Sequence, residues 1–296
     1  MKFIILTAIL LTVSASAQIT FQRTYGGTRQ DYGRSVAQTA EGGYVVVGRT
    51  SSFGAGGADV WVVRTDAIGD TVWTRAFGGP STEFGNSVIQ SADGGYVITA
   101  ATKSFGAGGY DVWLIKTDAH GDTMWTRTFG GDGGDHGRSV SQTSDGGYII
   151  AGETVSFGAG DYDVYLVKTD AAGDTMWTRT YGGTSIDIGY SVQQTTDGGY
   201  IIAGATSSFG AGHEDFWFIK TDSLGRVGIA EHPPTGIEPL TLPTVMRASD
   251  LARVEGRILD MQGRNVTDER RNLSPGVYFI RPSSAQSAVG KIVLTR

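Results

Sequence analysis

An acidic residue stands at the same place in each of four similar segments of the chain. Two carboxylates that face one another across a site can act as acid and base in glycoside hydrolysis. An acid that recurs in every copy also fits a turn residue whose carboxylate accepts backbone N–H bonds. We favour the turn role and keep a glycan-active hydrolase or lyase as the alternative. The acids form two sets, Asp31, Glu83, Asp135 and Asp187, and Asp59, Asp111, Asp163 and Asp215.

The sequence has no residue pattern that is typical of a metal site or of a phosphate-binding loop. The four histidines, at positions 120, 136, 213 and 232, do not have metal-ligand spacing. The loop 130–137 is rich in Asp and Gly but lacks the regular acidic series of a calcium loop. The repeated Ser-Phe-Gly-Ala-Gly segment joins strand to strand, whereas a phosphate cradle joins strand to helix. We therefore expect no metal and no cofactor.

The residues that differ between the four copies are better candidates for binding. They fall in the two longer loops of each copy, and loops on a rigid frame commonly carry function. Mixed aromatic and charged side chains suit contact with a glycan or with a surface protein, although drift in a solvated loop explains them as well. The candidates are Arg29, Tyr110, Asp161, Tyr162, His213 and Glu214.

The copies recur with a period of 52 residues. Gly42-Gly43-Tyr44, for example, returns at 94–96, 146–148 and 198–200. Each copy holds four runs rich in Val, Thr, Tyr and Trp, bounded by Gly and Asp, which is typical of strands and tight turns. In the first copy the runs are 33–39, 44–50, 59–65 and 71–78. Four antiparallel strands per repeat predict a β-propeller blade.

The fourth copy ends at Asp222 without its last strand, and the start of the chain resembles that strand. Phe21 lies 52 residues before Trp73, in the segment ITFQRTYGG. We therefore predict an all-β, four-bladed propeller over residues 18–225, closed by its N-terminal strand. Pairing the first and last strands removes exposed edges. An open four-repeat solenoid is the alternative.

The stretch from Thr117 to Trp125, TDAHGDTMW, resembles the tryptophan-docking motif of quinoprotein-like β-propellers. The resemblance implies that Trp73, Trp125 and Trp177 pack against the neighbouring blade. It also implies that Asp66, Asp118 and Asp170 hold the preceding turn. A bound quinone is not expected, because the quinone-binding enzymes of that family are larger.

Composition and the N-terminus indicate an exported protein. Residues 1–17 have the charged start, apolar run and small-residue end of a signal peptide. No later stretch is long and apolar enough to span a membrane. The chain has no cysteine, so it uses no disulfides. With 24 basic and 30 acidic residues, it lacks the basic balance that a nucleic-acid partner requires.

After a proline-bearing linker at 226–245, residues 246–296 resemble the type A C-terminal sorting domain of the type IX secretion system. The resemblance implies an Ig-like β-sandwich, export through that machinery, and an extracellular or cell-surface location. A plain β accessory domain is the alternative. The residues that carry the match are Gly263, Arg264, Gly276, Val277, Tyr278, Lys291, Leu294 and Arg296.

Together these patterns predict a secreted or surface-displayed propeller without catalysis. Its expected partners are the type IX machinery and a glycan or surface-protein ligand.

Overall fold

A computed structural model describes residues 19–228 and, further along the chain, the backbone of four strands. The chain divides into two compact units, residues 1–230 and residues 231–296. In the first unit every described element is a strand, and every sheet is antiparallel. The predicted all-β repeat of blades is therefore confirmed.

Each blade is one sheet whose strands follow one another in chain order. The first three blades have four strands each, and the fourth has three. Blade 1 holds β1 (Asp31–Gln38), β2 (Tyr44–Thr50), β3 (Asp59–Thr65) and β4 (Thr71–Phe77). Blade 2 holds β5 (Glu83–Gln90), β6 (Tyr96–Thr102), β7 (Asp111–Thr117) and β8 (Thr123–Phe129). Blade 3 holds β9 (Asp135–Gln142), β10 (Tyr148–Thr154), β11 (Asp163–Thr169) and β12 (Thr175–Tyr181). Blade 4 holds β13 (Asp187–Gln194), β14 (Tyr200–Thr206) and β15 (Asp215–Thr221).

Short turns with glycine at positive φ join the strands. Gly42, between β1 and β2, has a φ of +87°, which the glycine adopts without strain. In the turn between β3 and β4, the Asp66 carboxylate accepts the backbone N–H of Ile68 at 3.0 Å and that of Asp70 at 2.8 Å. The turn role implied for this aspartate is confirmed.

The hydrophobic core lies between neighbouring blades rather than within one blade. Three clusters join blades 1 and 2, blades 2 and 3, and blades 3 and 4. At each junction the tryptophan of the outermost strand meets a tyrosine of the next blade, as the tryptophan-docking motif implied. The ring centroids are 5.5 Å apart for Trp73–Tyr96, 6.0 Å for Trp125–Tyr148 and 5.7 Å for Trp177–Tyr200.

The predicted closure of the ring is not shown. Among the described residues, 19–30 form no strand, and β15 pairs only with β14. The segment lies on blade 1 instead, where the Phe21 ring is 5.8 Å from that of Tyr44. Apolar side chains are exposed on the outward faces of both end blades, at Val36 on blade 1 and at Phe216 and Phe218 on blade 4.

The second unit contains one four-stranded sheet. It consists of β16 (Thr244–Arg247), β17 (Arg257–Leu259), β18 (Gly276–Arg281) and β19 (Gly290–Thr295), in the order 16-19-18-17. The β16–β19 pair is parallel and the other pairs are antiparallel. Strand β16 begins inside the segment that we predicted as a linker. The described residues do not show the second sheet of a sandwich.

The sequence motifs for export fall partly outside the described residues. In the tail, β18 contains Gly276, Val277 and Tyr278, and β19 contains Lys291 and Leu294. The other three positions of the sorting match, 263, 264 and 296, lie outside the described residues, as does the signal segment 1–17.

Candidate functional site

The recurring acids at the start of each first strand are bound inside their own loops. The Asp31 carboxylate accepts the N–H of Gly27 at 2.9 Å and the hydroxyls of Thr50 and Ser52 at 2.5 and 2.8 Å. Burial alone would raise the pKa of Asp31, but these hydrogen bonds hold it below its usual range. In the other copies the acid is 0% exposed. The geometry agrees with the turn interpretation, since these carboxylates accept hydrogen bonds from their own loops.

In blades 1 to 3, the acid at the start of the third strand lies beside an acid of the next blade. Asp111 and Asp135 form one such acid pair, with Gly130 between them, where any side chain would collide with both carboxyl groups. Burial, together with the Asp135 carboxylate, raises the pKa of Asp111 to about 6. Burial and an acid of the next blade likewise raise the pKa values of Asp59 and Asp163.

The first strands of neighbouring blades lie side by side. The N–H of Val88 in β5 donates to Ser35 Oγ in β1 at 3.3 Å, and the same bond recurs at the next two junctions. Side chains from different blades therefore meet along these strands. The resulting group, here called the inner-strand cluster, comprises Tyr32, Arg34, Arg49, Phe84, Tyr110, His136, Arg138, Glu153, Tyr162 and Tyr190.

Two arginines of blade 1 lie over aromatic rings. The Arg49 guanidinium is 4.8 Å from the centroid of Tyr32 and 5.2 Å from that of Phe84. Arg34 is 5.5 Å from the Phe84 centroid and donates to Asn86 Oδ1 at 2.6 Å. Burial and the neighbouring arginines 49 and 138 lower the pKa of Arg34. Within residues 19–228, neither Arg34 nor Arg49 forms an ion pair with a carboxylate.

Three aromatic rings continue the row across blades 2 and 3. Tyr110 lies 5.6 Å from Phe84 and 5.2 Å from His136, and His136 lies 6.4 Å from Tyr162. Burial lowers the pKa of His136 although Glu153 acts in the opposite direction. The imidazole is therefore neutral at neutral pH and extends the aromatic row.

One carboxylate belongs to this cluster, and an arginine neutralises it. Glu153 is 3% exposed and accepts two bonds from the Arg138 guanidinium, at 2.5 and 2.6 Å. Burial opposes the charge on Arg138, but the bonds to Glu153 hold its pKa above the ordinary value. Arg138 also lies 5.4 Å from the ring centroid of Tyr190. The uncompensated positive charge therefore rests on the two arginines of blade 1.

The structure brings two of the six predicted loop residues into this cluster, Tyr110 and Tyr162. The other four lie elsewhere and are exposed. Arg29 uses its backbone N–H to donate to Ser52 Oγ at 3.0 Å. Asp161 lies in the loop before β11, and His213 and Glu214 line a surface depression on blade 4.

Sequence reasoning missed the remaining eight residues of the cluster because it compared the copies in their loops. The same kind of signal, a difference between the copies at one position, was also present in the strands. One position of the first strand reads Arg34, Asn86, Arg138 and Tyr190 in successive copies. Such variation is unexpected for a position that only supports the frame.

Two other features are absent from the described part of the chain. No group of three or more His, Cys, Asp or Glu residues there is placed to hold a metal ion. No helix in that part is long and apolar enough to cross a membrane.

No protein-family model matches the sequence, and no curated protein matches it significantly.

Three solved structures are similar at low identity. A protein of unknown function from Bacteroides caccae is 14% identical, with a TM-score of 0.42, and the match covers 66% of this chain and 58% of that one. A protein provisionally assigned as an exo-β-1,3-galactanase from Bifidobacterium bifidum is 14% identical, with a TM-score of 0.40, over 67% and 70% of the two chains. PorZ, described as a surface component of the type IX secretion system of Porphyromonas gingivalis, is 10% identical, with a TM-score of 0.37, over 89% and 45%. The chain thus spans just over half of the first of these proteins, and TM-scores this low support no conclusion about function.

Proposed function

We propose that this chain is a secreted or surface-displayed binding protein without catalysis, and that its inner-strand cluster binds an acidic glycan. The observation that carries the proposal is the pair Arg34 and Arg49, which lie over aromatic rings and have no carboxylate partner among the described residues. The chain has a net charge of −6, so this cationic surface is not a consequence of overall composition.

The chemistry of the cluster matches that of a carboxylated sugar. A guanidinium presents a planar fork of N–H groups that can bind a carboxylate through two hydrogen bonds. Aromatic rings provide apolar faces on which the C–H faces of a sugar can pack. The aromatic row runs from Phe84 through Tyr110 and His136 to Tyr162 in blades 2 and 3. Arg49 links Phe84 to the ring of Tyr32 in blade 1, so the surface spans three blades and can contact several sugar units in succession.

The alternative, a hydrolase or lyase that uses the recurring acids, receives less support. A general acid or base must come within hydrogen-bonding distance of the substrate. Glu83, Asp135 and Asp187 are 0% exposed, and Glu83 accepts a backbone N–H of its own loop. Turnover of an acidic polysaccharide that is lost in an Asp31→Asn variant would establish the alternative.

Export by the type IX route is part of the proposal and rests on the sequence matches at both ends of the chain. A test is to fuse residues 226–296 behind a signal peptide and a fluorescent protein in a host with that machinery. The reporter is expected outside the cell or at its surface. A reporter that stays in the periplasm would overturn this part.

Calorimetric titration with polygalacturonate, a carboxylated polysaccharide, tests the binding function. The variant Arg34→Gln/Arg49→Gln is expected to bind at least tenfold more weakly, since bonds to charged groups contribute about 1.5–3 kcal/mol each. Binding should also weaken as salt rises. The control Arg75→Gln makes the same change on β4, where Arg75 pairs with Asp122, and should bind like the parent. Equal affinity in all three proteins, or no binding by the parent, would overturn the proposal.

A further inference from the structure

The two end blades expose faces that the inner blades bury. On blade 4, Phe216 and Phe218 are 73% and 60% exposed, whereas Val112 and Leu114 at the same positions of blade 2 are 1% and 0% exposed. On blade 1, Val36 is 62% exposed, whereas its counterparts in the other three blades are 3–4% exposed. Large apolar faces of this kind mark interaction sites.

These faces are the two halves of an interface that the chain already makes three times. At the junction of blades 3 and 4, Val164 of β11 packs against Val192 and Ile202 of the next blade. Phe216 holds the position of Val164 one repeat later, and Val36 and Val46 hold those of Val192 and Ile202. The exposed face of blade 4 therefore has the chemistry that the exposed face of blade 1 requires.

The side chains at the two ends differ in size in opposite directions, so they compensate one another in part. Blade 4 has Phe216 where the other blades have valine, and blade 1 has Val46 where they have isoleucine. At the junction of blades 3 and 4 these two positions meet at a glycine, Gly189, with Val164 Cγ1 and Ile202 Cγ2 both beside it. The smaller Val46 offsets part of the volume that the Phe216 ring adds, and close-packed interiors favour such a combination of a larger with a smaller side chain.

The contacts of the N-terminal segment with blade 1 match those that an outermost strand makes with the next blade. Phe21 meets Tyr44 as the docking tryptophans meet their tyrosines. The Tyr25 hydroxyl donates to Gly69 O at 2.6 Å, as that of Tyr181 donates to Gly225 O at 2.6 Å. Blade 4 has no fourth strand beside β15 in the described structure. The N-terminal segment could therefore pair with the free edge of β15.

Within one chain, the exposed faces of blades 1 and 4 do not meet, and the N-terminal segment does not pair with β15. Three similar junctions join four blades and leave both end faces open, so a ring with this step between blades needs more than four blades. Two chains supply eight, which is within the range of known propellers. We propose that two copies of this chain form one eight-bladed ring. Blade 4 of each copy packs on blade 1 of the other, and residues 19–27 of each copy pair with β15 of its partner.

The eight-bladed ring buries the exposed end faces and also covers the free edge of β15. The two junctions between chains are related by a two-fold axis, so the assembly closes and does not grow into a fibre. It also covers the free edge of β15, which would otherwise be available for aggregation.

The first test is the mass of the chain from Gln18 onward, measured by light scattering after gel filtration. A dimer is expected. The variant Phe216→Asp/Phe218→Asp should be monomeric at the same concentration, with an unchanged β-sheet circular dichroism spectrum. The control Met124→Asp/Met176→Asp changes two residues that are each 57% exposed on outermost strands, and it should remain dimeric. A monomeric parent protein would overturn the proposal.

The second test distinguishes closure between chains from closure within one chain. In blade 3, Leu166 of β11 lies opposite Arg179 of β12. Phe218 holds the position of Leu166 one repeat later, and Arg23 holds the position of Arg179 three repeats earlier. Paired strand positions have the Cα separation that a disulfide needs. The chain has no cysteine of its own, so Arg23→Cys and Phe218→Cys can be placed on separate, differently tagged chains.

After the two variants are refolded together and oxidised, a disulfide-linked heterodimer is expected on a non-reducing gel. A chain that carries both substitutions should form covalent dimers. If the double variant forms an internal bridge at monomer mass and the mixture forms none, the ring closes within one chain, as the sequence first suggested, and the proposal is wrong. Absence of any bridge would equally contradict the predicted pairing.

Discussion

The acid pair at the junction of blades 2 and 3 predicts an unusual dependence of stability on pH. Burial and Asp135 raise the pKa of Asp111 to about 6, although Asp111 accepts the N–H of Ala107 at 2.9 Å. A carboxyl group whose pKa is higher in the folded protein stabilises the fold at low pH. That contribution is complete below about pH 4 and is lost as the pH rises through about 6.

The variant Asp111→Asn removes the charge and keeps an oxygen that can accept the Ala107 bond. The gap between about 6 and the ordinary value of 3.8 corresponds to about 3 kcal/mol above pH 6. Relaxation around the charge reduces this, so we expect the variant to be about 1–2 kcal/mol more stable than the parent at pH 7.5. At pH 4, where the parent carboxyl group is protonated, the advantage should disappear.

Urea denaturation of both proteins at pH 4, 5, 6 and 7.5 measures this difference. The control is Asp118→Asn, because hydrogen bonds from the backbone N–H groups of Asp122 and His120 hold the pKa of Asp118 below its usual range. The sign is then opposite, and the control should lose stability at neutral pH and lose less as the pH falls through the pKa. A stability difference between Asp111→Asn and the parent that stays constant from pH 4 to 7.5 would refute the reasoning.

Three further predictions follow from single contacts. Trp125→Ala, which removes a docking ring at a blade junction, should lower the free energy of unfolding in urea by about 2–4 kcal/mol. Gly121→Ala and Gly94→Ala both place alanine at positive φ, but only the first also meets a neighbouring side chain. Gly94→Ala should therefore cost about 1 kcal/mol, and Gly121→Ala measurably more, in the same assay. Glu153→Gln removes the only carboxylate of the inner-strand cluster, so the variant should bind polygalacturonate several-fold more tightly in calorimetry. The same variant should be less stable to urea, because Arg138 stays partly buried without its charged partner.

Much of the fold could be predicted because it is encoded locally. The predicted runs 44–50 and 59–65 coincide with β2 and β3. Glycine at each turn and strand runs rich in Val, Thr, Tyr and Trp are properties of a few neighbouring residues, and they recur in all four copies. The roles of the docking tryptophans and of the turn aspartates were likewise available, since each depends on one short motif.

Ring closure could not be predicted in the same way. The angle between two blades depends on how side chains such as Val60 and Val88 interlock across the junction, and the sequence of one blade does not state it. The candidate site was missed for a related reason. Whether a strand residue such as Arg49 lies in a core or on an open surface depends on the neighbouring blade, so attention to the loops found only Tyr110 and Tyr162.

The two proposals together lead to a last prediction, because an eight-bladed ring built from two chains carries two inner-strand clusters. A short oligomer of galacturonic acid should bind one site per chain, with the same affinity in the parent and in Phe216→Asp/Phe218→Asp. A long polygalacturonate chain that reaches both clusters gains from effective concentration, so it should bind the parent ring more tightly than the monomeric variant. Calorimetry with both ligands on both proteins measures this. If the long and short ligands lose the same affinity in the monomeric variant, the substitutions disturb the site itself. If neither ligand distinguishes the two proteins, the clusters do not act together.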